Sequence, residues 1–326
     1  MRAALQRAWL ARGPLARVLW PLSLLYRAGA ALDRRNARAE HLPVRVIVVG
    51  NVVAGGAGKT PVVLAIVEHL RKRGFAVGIV SRGYGRSGDG TTEVQADDVP
   101  SRAGDEPLLL KRKSGVPVFV AGKRAEAGRA LLAAYPATQV IVSDDGLQHH
   151  ALARDLEVCV FDARGLGNGW LLPAGPLREP WPRHVDLVLR PPQLPAIAGH
   201  DIKRGLASTA VRADGTRMPL TSLAGQNIQA VAGIANPEPF FAMLRAAGLQ
   251  LARTTALPDH HDFADASGLD PQATLVCTEK DAVKLWRLRP DAWAVPLEVE
   301  IAPAFWPELD RLLEAKLSSP DGSPTA

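Results

Sequence analysis

Short runs of mostly β-branched apolar residues recur along the first two thirds of the chain, at 44–49, 76–80, 116–120, 139–143, 156–161 and 185–189. A strand with one wet face alternates apolar and polar positions. These runs are apolar nearly throughout, so the pattern predicts strands covered on both faces. Helix-length stretches at 59–73, 106–113 and 123–134 separate several of them. Strand and helix in alternation predict an α/β fold with a mostly parallel sheet sandwiched by helices. In such sheets ligands bind beyond the carboxyl ends of the strands. Three prolines within residues 191–195 punctuate the chain, and a second, smaller α/β unit is expected after them. Its elements are strands at 228–234, 249–255, 274–278 and 293–301 and a helix opening at Pro237. The expected division is 37–190 for the main domain and 191–303 for the smaller one. A helix over 304–317 is expected to return to the first domain, and a Ser/Pro-rich tail, 318–326, is expected to be disordered.

Residues 1–36 follow a different pattern. Arginines at 2, 7, 12, 17 and 27 are interleaved with Trp9, Val18, Leu19, Trp20, Leu22, Leu24, Leu25 and Tyr26, and no acidic residue precedes Asp33. The uncharged part is well short of the ~20 apolar residues that span a bilayer, and Pro21 interrupts it. A helix of this kind can lie among lipid headgroups, its apolar residues sunk and its arginines on anionic lipid. A first helix packed on the domain has the same periodicity.

The formal charge of +6 admits nucleic acid, anionic lipid or a phosphorylated substrate as partner. Only 5% of residues are aromatic and the basic residues are not interleaved with them in runs, which argues against a base-stacking platform and so against nucleic acid. Cys159 and Cys277 sit in separate apolar runs with no CxxC pair, and read as core residues of a protein of the reducing cytosol.

The strongest local signal follows the first apolar strand: Gly50-Asn51-Val52-Val53-Ala54-Gly55-Gly56-Ala57-Gly58-Lys59-Thr60-Pro61. Glycines let backbone N–H groups turn toward phosphate oxygens, and the helix start adds partial positive charge. Lys59 is placed to reach the β- and γ-phosphates and Thr60 to offer a hydroxyl to Mg²⁺. Val53 stands where the strict G-x(4)-G-K-[ST] pattern has its first glycine. Asn51, Gly55, Gly56, Ala57, Gly58, Lys59 and Thr60 are therefore the expected nucleotide contacts of a P-loop NTPase-like domain. Residues 139–146 predict a buried strand delivering Asp144 and Asp145 at its carboxyl end, where a magnesium-holding acid belongs. Two acidic clusters, Gly104-Asp105-Glu106-Pro107 and Asp259-His260-His261-Asp262, could supply a base for a hydroxyl acceptor. Arginines in three loops, among them Arg82, Arg124 and Arg178, suit a bidentate hold on a substrate phosphate.

These segments, with Ser81-Arg82-Gly83-Tyr84-Gly85, Asp144-Asp145-Gly146-Leu147-Gln148-His149, Leu172-Pro173-Ala174-Gly175-Pro176-Leu177-Arg178-Glu179 and Thr278-Glu279-Lys280-Asp281-Ala282-Val283-Lys284, resemble the tetraacyldisaccharide 4'-kinase family and occur in its order. The resemblance implies an ATP- and Mg²⁺-dependent kinase that phosphorylates the 4'-hydroxyl of a tetraacyldisaccharide 1-phosphate in lipid A synthesis. It implies a peripheral enzyme at the cytoplasmic face of a bacterial inner membrane, held by the amino-terminal helix, with no obligate protein partner. It also implies that Asp105 and His260 form the base pair, His261 lying one residue on, and that Asp144 and Asp145 serve the metal. Arg82, Tyr84, Glu106, Arg124, Gln148 and Arg178 are implied for the sugar-phosphate headgroup. The alternatives are a membrane-associated nucleotide switch read by a protein partner and a kinase of a small soluble metabolite.

Overall fold

The computed structural model describes residues 8–317; the first seven residues of the expected amino-terminal helix and the tail expected to be disordered lie outside the described residues. Nine strands of the described chain form one sheet: β1 (Arg45–Gly50), β2 (Val77–Ser81), β3 (Thr92–Glu93), β4 (Val118–Val120), β5 (Val140–Asp144), β6 (Leu156–Val160), β7 (Leu187–Arg190), β8 (His200–Leu206) and β15 (Leu297–Ile301). Their order is β15-β8-β7-β6-β1-β5-β2-β4-β3. All neighbours from β8 to β4 are parallel, and only the outermost strands, β15 and β3, run against their partners.

Burial on both faces explains the unbroken apolar runs. Ile47 and Val49 point into one core with Ile66 and Leu70 of α2 (Lys59–Lys72) and with Phe305, Leu309 and Leu313 of α8 (Phe305–Leu317). Val46 and Val48 point into the other, with Leu131 of α5 (Arg124–Ala134), Leu147 and Phe161. The register pairs Val49 with Asp144 across β1 and β5, so the phosphate loop and the acidic turn leave the sheet side by side. Gly50 permits this closeness: a Cβ there would lie 2.7 Å from Leu147 Cγ.

A second sheet contains β9 (Thr209–Val211), β10 (Arg217–Pro219), β11 (Ile228–Ala232), β12 (Leu251–Ala256), β13 (Thr274–Thr278) and β14 (Trp293–Val295), in the order β10-β9-β14-β13-β11-β12. It carries α6 (Glu238–Ala246) and α7 (Glu279–Leu285). The run 293–301, read from sequence as one strand, is two strands in different sheets. Pro296 separates them because it has no N–H to continue a ladder, while its carbonyl accepts from Ala207 N at 2.9 Å. The two chain crossings between the sheets thus lie against each other. β8, which the sequence pattern did not reveal, extends the large sheet beyond the 191–195 proline run.

The amino-terminal helix α1 (Pro14–Asn36) contains Pro21 and rests on the loop at 168–178. Ser23 Oγ donates to Leu171 O at 2.8 Å and Tyr26 Oη to Arg178 O at 2.9 Å. Ala16 and Ser23 are buried, whereas Leu15, Val18, Leu22, Leu25 and Leu32 are exposed. Those five follow the three-and-four spacing of one helical face, so the apolar stripe of α1 is turned outward. Among the described residues no helix is long and apolar enough to cross a membrane.

Candidate functional site

The phosphate loop runs from the end of β1 to the start of α2, with Gly55 at φ 95° and Gly58 at φ 65°, conformations that suit glycine. Asn51 is fully buried beneath it. Lys59 Nζ lies 3.3 Å from Asn51 Oδ1 and 3.3 Å from Asp145 Oδ1. Lys59 opens α2, followed by Thr60 and by Pro61 in the first turn, where the missing N–H costs no helical bond.

Asp144 ends β5 and is buried; Ser81 Oγ, at the end of β2, lies 3.4 Å from its Oδ2, and its Oδ1 has no partner among the described residues. Burial, reinforced by the nearby charges of Glu106 and Asp145, pushes the Asp144 carboxyl up to about 7, against the opposing pull of Lys59 and Arg124. Asp145 behaves oppositely. Burial again acts to raise it, but Lys59, Arg178 and Arg124 outweigh burial and hold it below the ordinary carboxylate range. Arg178 Nη1 reaches Asp145 at 3.2 Å and Gln148 Oε1 at 3.2 Å, and Gln148 Nε2 donates to Asn51 O at 3.0 Å. Arg124 is turned inward, its Nη2 on the carbonyl oxygens of Asp145 at 2.7 Å and Asp144 at 3.4 Å. It therefore braces the acidic turn from behind.

The second cluster forms where the two sheets meet. After the single turn α3 (Pro100–Ala103), Asp105 begins α4 (Asp105–Ser114) and is buried. Its Oδ2 lies 3.1 Å from His260 Nδ1 and 2.7 Å from Lys284 Nζ. Burial acts to raise the Asp105 carboxyl, yet the hydrogen bonds from His260 and Lys284 take it below its usual value. An ionised carboxylate only accepts, so His260 donates from Nδ1 and its Nε2 is left as acceptor. Lys280 Nζ meets that Nε2 at 3.3 Å and also reaches Glu106 Oε1 at 3.3 Å and Asp259 Oδ1 at 3.4 Å. The Tyr84 ring, otherwise exposed, tilts over His260 with centroids 4.9 Å apart. His261 faces elsewhere, its Nδ1 accepting from Phe263 N at 3.0 Å. Glu106 joins the two clusters, since its charge bears on Asp144 as well as on Lys280.

The fold thus gathers Lys59, Asp144, Asp145, Arg124, Gln148 and Arg178 around the loop, and Asp105, His260, Glu106 and Tyr84 beside it. Arg82 is exposed, and its charge is felt at Arg124 and His149. Between the end of α1 and the 148–151 loop is a cavity of about 240 Å³ lined by Asp33, Asn36, Gln148, His149 and His150 among others. Sequence reasoning gave no role to Lys280 and Lys284. Their i, i+4 spacing in the Thr278–Lys284 segment, which places them on one helix face, was the available signal.

Comparison with known proteins gives a consistent picture. Residues 15–315 match the family model described as tetraacyldisaccharide-1-P 4'-kinase. A tetraacyldisaccharide 4'-kinase of Acidovorax sp. (strain JS42) is 58% identical over 323 residues, covering 97% of this chain and 95% of the relative. One from Dechloromonas aromatica (strain RCB) is 48% identical over 92% of this chain and 94% of its own. Among solved structures, the "apo" form of LpxK from Aquifex aeolicus in complex with ATP is similar, with a TM-score of 0.78 and 28% identity over 92% of this chain and 99% of that one.

Proposed function

The chain belongs to the tetraacyldisaccharide-1-P 4'-kinase family, and from that premise we propose how its residues carry the reaction. It is an ATP-dependent kinase of lipid A synthesis that phosphorylates the 4'-position of a tetraacyldisaccharide 1-phosphate. The observation that carries the residue-level account is the meeting of Asp105 with His260 at 3.1 Å, next to Glu106 and the phosphate loop.

Asp105 accepts the proton of the 4'-hydroxyl as the sugar oxygen bonds to the γ-phosphorus and the bond to the β-phosphate oxygen breaks, releasing ADP. His260 donates to the other face of the carboxylate and orients it. Lys59, released from Asp145 by the arriving triphosphate, neutralises charge on the β- and γ-phosphates, and the loop amides from 55 to 60 supply the remaining donors. Asp144, Asp145 and the Thr60 hydroxyl would hold Mg²⁺. The Oδ1 of Asp144, buried and without a partner among the described residues, supports this, being an acceptor left for a cation. When bound, the ion neutralises phosphate charge. Arg82, Tyr84, Gln148 and Arg178 line the approach of the sugar-phosphate headgroup, with Glu106 at the acceptor end and Arg124 acting through the backbone of the acidic turn.

We read the chain as two domains, 37–190 and 191–303, with β8 and β15 lent to the larger sheet, and with 304–317 returning to it. The outward stripe of α1 and its arginines support peripheral contact with an anionic membrane. ATP use supports its cytoplasmic face, without an obligate protein partner or nucleic acid. The test is transfer of label from γ-labelled ATP to tetraacyldisaccharide 1-phosphate in detergent, comparing the intact protein with Lys59→Ala. Transfer by the first and not the second is expected. Slow ATP hydrolysis stimulated by a protein, with no labelled glycolipid, would instead favour a nucleotide switch.

A further inference from the structure

Five consecutive carbonyl groups of the phosphate loop are held by side chains. Asn51 Nδ2 donates to Val53 O at 2.6 Å and to Gly55 O at 3.5 Å. Arg164 spans the loop from the other side, Nη1 on Ala54 O at 3.1 Å and Nη2 on Gly56 O at 3.1 Å. Arg204 Nη2 takes Ala57 O at 2.8 Å. By contrast, the amides of Gly55, Gly56, Ala57 and Gly58 donate to no acceptor among the described residues. A carbonyl and the amide that follows it share one plane and point in opposite directions. Fixing the carbonyls of Ala54, Gly56 and Ala57 therefore also fixes the amides of Gly55, Ala57 and Gly58.

Both arginines are themselves braced. Arg164 follows β6 and is clamped by Asp162, with Nε 2.9 Å and Nη2 2.6 Å from Oδ2. Arg204 stands on β8, with Nη2 also on Phe161 O at 3.0 Å. The glycines make room for them. A Cβ on Gly58 would come within 2.8 Å of Arg204 Nε, and one on Gly55 within 3.1 Å of Arg164 Nη1. Lysine could not fully replace Arg164, because an ammonium lacks the planar fork that reaches two acceptors at fixed spacing; at Arg204 both acceptors are taken by the one Nη2, so what a lysine would lose there is reach and planarity.

We propose that Arg164 and Arg204 are positioning residues for ATP that preset the amides of the phosphate loop before the nucleotide arrives, so that binding does not have to order them. The inference rests on reading residues 51–60 as the triphosphate site. It assigns the two arginines no contact with the nucleotide. Their effect passes through the backbone, and β8, the strand that leads into the second sheet, carries one of them.

The experiment measures equilibrium binding of a non-hydrolysable ATP analogue to full-length protein without glycolipid, per folded molecule, together with KM for ATP and for the glycolipid. With charge-assisted hydrogen bonds of this kind lost, Arg204→Met is expected to weaken the analogue about 10- to 30-fold and Arg164→Met about 5-fold. The matching lysine variants should recover part of each loss, and KM for the glycolipid should stay within about 2-fold of wild type in all four, the spread left to effects on distant sites. Arg164 lies partly exposed at the surface, so its variants carry the test should Arg204→Met not fold. Methionine variants of both arginines that bind the analogue as tightly as wild type, while Lys59→Met does not, overturn the inference. If Lys59→Met also binds normally, the loop is not the triphosphate site, and the underlying reading falls with it.

Discussion

Lys284 Nζ lies 2.7 Å from Asp105 Oδ2 and within 3.3 and 3.1 Å of the carbonyl oxygens of His260 and His261. One ammonium group, with three protons and three acceptors, ties the start of α4 to the histidine loop across the junction of the sheets. Lys284→Met is therefore expected to lower kcat at neutral pH by about 10- to 100-fold, less than the full 10²- to 10⁴-fold that acid–base catalysis contributes, because the base itself remains. The pH profile separates this from simple loosening. Burial acts to raise the Asp105 carboxyl, and losing Lys284 removes one of the groups that oppose it, leaving His260 and the charge of Lys280. A base must be ionised, so activity is lost as pH falls through its pKa, and the acid limb of kcat in the variant should lie at higher pH than in wild type. A uniform loss at every pH would contradict the assignment.

How much of this was legible in the sequence depended on distance along the chain. The phosphate loop and the acidic turn were readable because each is a local strand–turn signal, and their adjacency follows from parallel pairing of β1 and β5. Asp105 and His260 stand 155 positions apart, and nothing in spacing joins them; a family likeness did. The split of the 293–301 run was hidden for a different reason. Its residues suit either sheet, and Pro296 marks a break without saying where the chain goes next. The lysines of α7 look like a solvated helical face until the tertiary fold sets Asp105, Glu106 and Asp259 before them.

His149 makes stability depend on pH. Burial, with the charges of Arg124, Arg154 and Arg82, lowers its pKa from 6.5 to about 4, and Arg124 N lies 3.3 Å from its Nε2, which serves as the acceptor. Protonation would remove that acceptor. Between about pH 6.5 and about pH 4 the unfolded chain binds the proton and the folded chain does not, so stability falls as pH drops through this window. Chemical denaturation near both ends of the window should show a steeper loss for wild type than for His149→Gln, whose amide oxygen can still accept from Arg124 N. Equal slopes would show that His149 is not the group responsible.

The outward stripe of α1 predicts a measurable affinity for lipid. Val18 and Leu25 are 74% and 70% exposed, and their burial in the acyl boundary would contribute roughly 1 kcal/mol or more each. Leu25→Glu removes that contribution and adds a charge that anionic lipid repels, so binding to anionic vesicles should weaken about 10-fold, 1.4 kcal/mol being a factor of ten. Activity on a detergent-dispersed substrate should change far less. Co-sedimentation with vesicles reads the first quantity. Unchanged sedimentation for Leu22→Glu and Leu25→Glu together would mean that this face does not meet the membrane.

Two glycines separate backbone strain from damage to the site. Gly74 and Gly104 have φ values of 87° and 90°, and alanine at either is strained whatever its surroundings. At Gly74 a Cβ would meet nothing within 4 Å, so Gly74→Ala should cost about 1 kcal/mol of stability and leave kcat unchanged. At Gly104, with ψ 152°, the backbone lies in a region held almost solely by glycine. A Cβ there would also sit 2.9 Å from Tyr84 O and 3.3 Å from the Gly83 backbone. Neither neighbour is a flexible side-chain end, so the strain must move either the Tyr84 loop or the start of α4. Both movements displace a partner of His260, since Tyr84 packs on its ring and Asp105 bonds its Nδ1. Gly104→Ala is thus expected to lose kcat by about 100-fold, the loss that a displacement of about 1 Å can bring, while ATP binding, measured separately, is retained. A variant with normal kcat and a Gly74-like loss of stability alone would show that the turn preceding Asp105 does not set the geometry of the pair.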